Sequence, residues 1–170
     1  SVKTELTDLT QVMEKLRSET FVDKSKMSLF GASQGGVVAS LYAAAYPNRV
    51  HKLMLIFPAF VLFDDVKETY RELGSPDFDQ LPDSLTHHNT TLGKIYLIDA
   101  LDIDIQAEQA NITAPTLIIH GTDDAVVPYQ YAVEASQTIP NAELVTVEGG
   151  EHRIDERFAI TAAPAIQKFL

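Results

Sequence analysis

Apolar residues follow two rhythms along this chain. Leu6, Leu9, Val12, Met13 and Leu16 recur at three- and four-residue spacing among polar neighbours, which predicts an amphipathic helix over 4–18. Short continuous apolar runs over 26–30, 53–57, 115–120 and 143–147 have the length of buried strands, the first ending at Gly31 and the second at Pro58. Gln34 to Tyr46 is rich in Ala and Val and stops before Pro47, which disfavours helix at the residue ahead of it, so a helix is predicted there. Further helical patterns cover 129–138 and 156–170, the last with Pro164 as a start or a kink. Strands alternating with helices imply right-handed crossovers, hence an α/β fold with a parallel sheet flanked by helices.

Residues 58–111 break that rhythm. They hold Gly74, Pro76, Pro82 and Gly93, many aspartates and scattered aromatics such as Phe60, Tyr70 and Tyr96. A stretch of this length between two core strands is rarely a bare loop in a compact domain. It is expected to be a small cap insertion of short helices over the C-terminal edge of the sheet, where open α/β sheets take their ligands. The core is then 1–57 together with 112–170.

Composition narrows the functions available. With 13 Lys+Arg against 24 Asp+Glu, the formal charge of −11 opposes binding to nucleic acid or to an anionic membrane. No cysteine is present, so neither disulfides nor thiolate chemistry enters. The longest apolar run, Leu53 to Phe63, is interrupted by Pro58 and is too short to span a bilayer. No basic segment followed by an apolar one opens the chain, so a cytoplasmic location is expected. Asp99, Asp102 and Asp104 alternate with apolar residues without a glycine-containing calcium loop, and no metal is assigned. His51, His87 and His88 lie in polar contexts and are expected to be exposed. The sequons at Asn89 and Asn111 carry little meaning without a secretory signal.

The chemistry concentrates in three short segments. Gly31-Ala32-Ser33-Gln34-Gly35-Gly36 lies between a predicted strand and a predicted helix. Gly-x-Ser-x-Gly in that setting is a nucleophile elbow, a turn sharp enough to strain the serine backbone and to ask that the neighbours two residues away lack side chains. It exposes Ser33 Oγ and aims the Gln34 backbone N–H at the place where an oxyanion would form. A serine hydroxyl needs a base, and the base needs an acid to orient it. Past the third strand stands His120-Gly121-Thr122-Asp123-Asp124, and past the fourth Glu148-Gly149-Gly150-Glu151-His152. Both fall at the same sheet edge as the elbow. His120, following a buried strand, is expected to be a hydrogen-bonded structural histidine.

These segments resemble the α/β-hydrolase family, whose acid loop has the form HGxxDxxVP. On that pattern Asp124 is the acid, with Asp123 as the competitor that could instead cap the loop through an Asx turn. The GGEH segment is similar to the family's base-bearing loop and points to His152. The order Ser33, Asp124, His152 is the order of that fold. Within the family, GASQGGVVASLYAAAYPNRV, TLGKIYL and HGTDDAVVP are similar to segments of bacterial feruloyl (cinnamoyl) esterases. Ala32 departs from the histidine those enzymes usually carry before the serine. The resemblance implies a serine carboxylesterase that takes small ester substrates, including hydroxycinnamate esters, without a cofactor. Tyr96 would then line an acyl pocket, or equally pack the cap onto the body.

The chain opens on Ser1 rather than Met, and the resemblance sets its first helix directly before the elbow strand. Four earlier strands, and the loop that donates a second oxyanion N–H, are therefore expected in roughly 80 upstream residues. Alone, the chain is expected to be weakly active or inactive. Two other readings remain open at this point: another acyl hydrolase (peptidase, thioesterase or acyltransferase) with the same three groups, or a non-catalytic binding module.

Overall fold

A computed structural model describes residues 1–87 and 90–170, without the side chain of His87. His88 and Asn89, together with the His87 side chain, lie outside the described residues. The chain begins with α1 (Val2–Ser18), capped by Ser1, whose hydroxyl accepts the Thr4 N–H at 3.3 Å. There follow β1 (Leu29–Ala32), α2 (Gln34–Ala45) and β2 (Leu53–Ile56). Next come α3 (Leu62–Glu72), a 3-10 turn (Phe78–Gln80), the strands β3 (Ser84–His87) and β4 (Thr90–Gly93), α4 (Lys94–Leu101) and α5 (Ile105–Ala110). The chain closes with β5 (Thr116–Gly121), α6 (Gln130–Thr138), β6 (Ala142–Val147) and α7 (Glu156–Phe169).

The main sheet has the order β1-β2-β5-β6 and every pairing in it is parallel. Its central strands are buried on both faces, which is why they read as unbroken apolar runs rather than alternating ones. Leu53, Leu55 and Ile118 pack toward α1, α2, α5 and α6, whereas Met54, Ile56, Leu117 and Ile119 pack toward α7 through Phe158 and Ala162. Among the described residues β1 is paired on one edge only, and Phe30 on it is 54% exposed.

Two expectations need correction. The first strand begins at Leu29, not at Lys26, because its ladder with β2 starts where Leu29 meets Leu53 and continues through Gly31 to Ala32. The segment expected to be short helices also contains the antiparallel hairpin β3–β4, with Leu85 opposite Leu92 and Thr86 opposite Thr91. The β-branched threonines were the local signal for it. Within the same segment α5 packs on α2 and α6, while α4 lies against α1 and α3. Pro164 sits inside α7, which runs through it without ending.

Candidate active site

The turn from β1 into α2 is tight. Ser33 has φ 52° and ψ −126°, a conformation a residue with a side chain adopts only when its surroundings enforce it. Here they do so from both sides. The Ser33 N–H donates to Ile56 O at 3.0 Å, and the Ser33 carbonyl accepts from Gly36 N at 2.9 Å and Ala59 N at 3.0 Å. A Cβ on Gly31 would strike the backbone of the first helical turn, lying 2.7 Å from both Gly35 C and Gly36 Cα. The sequence reading placed the matching steric demand on Gly35. Among the described residues a Cβ there meets nothing within 4 Å, and the second demand falls instead on Gly36, whose Cβ would lie 2.9 Å from Pro58 Cβ.

The acid loop follows β5. Asp124 has a fully buried side chain whose Oδ1 accepts the backbone N–H groups of Val126 at 2.9 Å and Val127 at 2.8 Å. Its Oδ2 is 2.7 Å from His152 Nδ1. Asp123, the competitor, accepts from the Thr122 hydroxyl at 3.1 Å. Two hydrogen bonds tie this loop to the one that carries the histidine: Asp123 N to Gly150 O at 2.9 Å, and Gly149 N to Thr122 Oγ1 at 2.8 Å. Gly121 permits the crossing, since a Cβ there would lie 2.7 Å from Gly150 Cα.

His152 closes the set, with Nε2 at 3.0 Å from Ser33 Oγ. A carboxylate only accepts, so Nδ1 carries the proton toward Asp124 and Nε2 presents its lone pair to the serine hydroxyl. The imidazole rests on Phe57, ring centroids 4.4 Å apart, and Phe57 in turn meets Phe158 edge-on at 5.5 Å. Phe57 itself has φ 35° and is buried, so the chain holds strained backbone at both Ser33 and Phe57 beside this site. Its position at the end of a strand gave no sequence signal for this support.

His120 lies beneath the acid, fully buried, with Nε2 at 2.9 Å from Val127 O and 3.2 Å from Asp124 Oδ2. Both neighbours are acceptors, so Nε2 bears the proton. Burial, the largest effect, holds the His120 pKa below the ordinary imidazole value.

Gln34 is the first residue of α2, so its backbone N–H has no acceptor within the helix, and none is found among the described residues. Its side chain is engaged elsewhere. Nε2 donates to Glu5 Oε1 at 2.7 Å and Oε2 at 2.9 Å, and Oε1 accepts the Tyr96 hydroxyl at 3.2 Å. Burial raises the Tyr96 pKa, with the nearby charges of Glu5 and Asp65 adding to it. Glu5 escaped the sequence reading because one acid in the first turn of a helix is ordinary.

Ser33 forms part of the wall of a cavity of about 480 Å³. Leu62, Val66, Leu85, Leu92 and Leu97 make it mainly apolar, with Asp65, Thr69 and Tyr96 as its polar side chains besides Ser33. A second, open depression is bordered by His152 together with Asp123, Ala125, Val126, Glu151 and Arg153. Among the described residues no group of three or more His, Asp or Glu could hold a metal ion. No helix among them is long and apolar enough to cross a membrane.

The model of the Prolyl oligopeptidase family matches residues 2–170, and the chain belongs to that family within the α/β-hydrolase superfamily. It is 30% identical over 157 residues to the AB hydrolase superfamily protein YisY of Bacillus subtilis, covering 73% of this chain and 59% of that protein. Over 161 residues it is 26% identical to the mouse (Mus musculus) serine hydrolase BPHL, covering 85% of this chain and 55% of that one. The structure of Est1E from Butyrivibrio proteoclasticus superposes with a TM-score of 0.87 at 28% identity, over 99% of this chain and 69% of Est1E. Est1E with bound ferulic acid gives 0.82 at 29% identity, over 96% of this chain and 65% of that one. The chain thus spans little more than half the length of YisY and BPHL.

Proposed function

We propose that this hydrolase of the prolyl oligopeptidase family is a serine carboxylesterase that forms an acyl-enzyme on Ser33 and acts on small aryl esters, hydroxycinnamate esters among them. The observation that carries the reading is the unbroken relay from Ser33 Oγ through His152 to Asp124, with spacings of 3.0 and 2.7 Å, and with Ser33 in the wall of an apolar cavity. His152 Nε2 takes the Ser33 proton as Oγ attacks the ester carbonyl. Asp124 stabilises the imidazolium that results, and its own geometry is set by two backbone N–H groups. The Gln34 N–H receives the developing oxyanion. His152 then returns the proton to the leaving alcohol, which departs. Water repeats the sequence on the acyl-enzyme, which restores Ser33 and releases the acid.

Residues 58–111 act as the cap in this scheme. Leu62, Val66 and Leu97 of that segment form the apolar wall for an aromatic acyl group, and Tyr96 offers its phenol oxygen at the same wall. A cavity of about 480 Å³ lies within the range usual for small-molecule sites. The Est1E structure that holds ferulic acid supports an aromatic acyl group. No cofactor or metal enters the reaction as proposed. The partner is a small ester rather than nucleic acid or a membrane, in keeping with the charge of −11. A cytoplasmic location completes the proposal.

One observation favours a second reading. The family is named for peptidases, and the same relay would cleave an amide, with His152 protonating an amine. A panel of matched aryl ester, thioester and peptide substrates separates the two. The direct test is Ser33→Ala in the full-length protein. It is expected to abolish both hydrolysis of a chromogenic short-chain ester and labelling by a serine-directed phosphonate. Retention of either removes Ser33 from its role.

A further inference from the structure

Among the described residues, Glu5 is the side chain of the first helix that hydrogen-bonds the elbow. We propose that Glu5 is a positioning residue, acting through the Gln34 side chain to fix the oxyanion amide and the Tyr96 wall of the cavity relative to Ser33; this rests on the esterase reading above. The donor and acceptor roles leave one arrangement. The ionised Glu5 carboxylate only accepts, so the Gln34 NH2 must face it, at 2.7 and 2.9 Å from the two oxygens. That orientation turns Gln34 Oε1 toward Tyr96, whose hydroxyl must then donate, at 3.2 Å. Glu5 sits in the first turn of α1, where the helix N-terminus favours a negative charge. It therefore suits a charge-assisted hydrogen bond, of the stronger kind.

The consequence lies in which elements are joined. Gln34 is both the residue that offers the backbone N–H and the first residue of α2, next to the strained Ser33. Its side chain ties α1 on one side to α4 on the other. Two more contacts bring α1 and α4 together: the Ser1 hydroxyl on Asp99 and the Lys3 ammonium on Asp102, each at 2.5 Å. Neither of these touches the elbow, and the second lies on the surface. Loss of Glu5 would thus release the Nε2 end of the Gln34 side chain while leaving every group of the relay in place.

The other candidates carry less. A pocket of about 160 Å³ between α3 and α6 gathers Asp64, Asp104 and Glu134, but each already has a partner, in the Tyr131 hydroxyl, the Ala107 N–H and the Gln130 amide respectively. Nothing there asks for a ligand.

The test compares Glu5→Ala, Glu5→Gln and Gln34→Leu in the full-length protein, using ester turnover and backbone amide NMR. Glu5→Ala and Gln34→Leu are expected to lower kcat by about tenfold with KM changed less than about twofold, because a misplaced amide matters only once charge develops on the substrate oxygen. Glu5→Gln keeps an acceptor for Gln34 Nε2 and is expected to recover kcat to within about twofold of wild type. A general loss of packing would not be rescued in this way. In the NMR arm, the Gln34 backbone and side-chain amide signals are expected to shift in Glu5→Ala and to stay near their wild-type positions in Glu5→Gln. That arm needs no turnover, so it decides the positioning role even where the esterase reading fails. Unmoved Gln34 signals, or equal losses of kcat in Glu5→Ala and Glu5→Gln, overturn the proposal.

Discussion

Replacing Gly31 by Ala should break the elbow, whereas the same change at Gly35, four residues on, should not. The added methyl at Gly31 would sit 2.7 Å from Gly35 C and Gly36 Cα, and closer still to Gly35 O. All three are backbone atoms, so no side chain can swing aside. An ordinary carbon–carbon contact is roughly 3.5–4.0 Å, so β1 and the start of α2 must separate by about 1 Å. Overpacking of this kind costs about 1–3 kcal/mol where side chains can adjust, and backbone against backbone belongs at or above the top of that range. For a domain of 150–250 residues each kcal/mol lowers Tm by about 2–4 °C, so a fall on the order of 10 °C is expected. Activity should fall further than stability, since the displaced element carries Ser33 and a misplacement of about 1 Å can cost 10²-fold in rate. At Gly35 the methyl enters open space inside a helix, where Ala exceeds Gly by up to about 1 kcal/mol, so stability should hold or rise. Urea denaturation of both variants, followed by circular dichroism, gives the comparison. Equal midpoints for Gly31→Ala and wild type, or equal losses at the two positions, would refute the steric account.

Asp124→Asn should lower kcat by about 10⁴ with little change in the fold. The two N–H groups of Val126 and Val127 will hold the amide oxygen, so the amide NH2 must face His152 Nδ1 and drive its proton to Nε2, where it can no longer accept from Ser33. Steady-state kinetics with a chromogenic ester checks this, and a loss below about tenfold would remove Asp124 from the relay. Buried His120 should make the protein acid-sensitive. Its folded pKa lies below the unfolded value of about 6.5, so its contribution to stability is intact above that pH and is lost as pH falls through the folded pKa. The slope for one proton is at most about 1.4 kcal/mol per pH unit. His120→Gln should flatten the fall of denaturation midpoint below pH about 6.5, and an unchanged slope would exclude this group as its source.

Much of the site could be read locally because its parts are tied to strand ends. The elbow glycines, the Gly121 turn and the Gly149-Gly150 turn each sit where an apolar run stops, and a parallel sheet brings such stops to one edge. The hairpin β3–β4 was missed since its four-residue strands are too short for alternation to outweigh the prolines and glycines around them. The steric role of Gly35 was misplaced for another reason. The motif fixes which positions are small, whereas the crossing of β1, α2 and Pro58 decides which of them are crowded.

By itself the sequence determined the parallel α/β order and the strand-to-helix elbow at Ser33, because each is written in residue type and spacing within a few positions; Asp124, with Asp123 as its competitor, and His152 came from the family resemblance. Only the tertiary structure decided what depends on distance between elements far apart in the chain. It set Asp124 rather than Asp123 against His152, slid Phe57 under the imidazole, and joined Glu5 to Gln34 and Tyr96. The physical reason is that hydrogen bonds and ring contacts act over a few ångströms, and the separations of 29 and 62 residues that they bridge here are closed by packing alone.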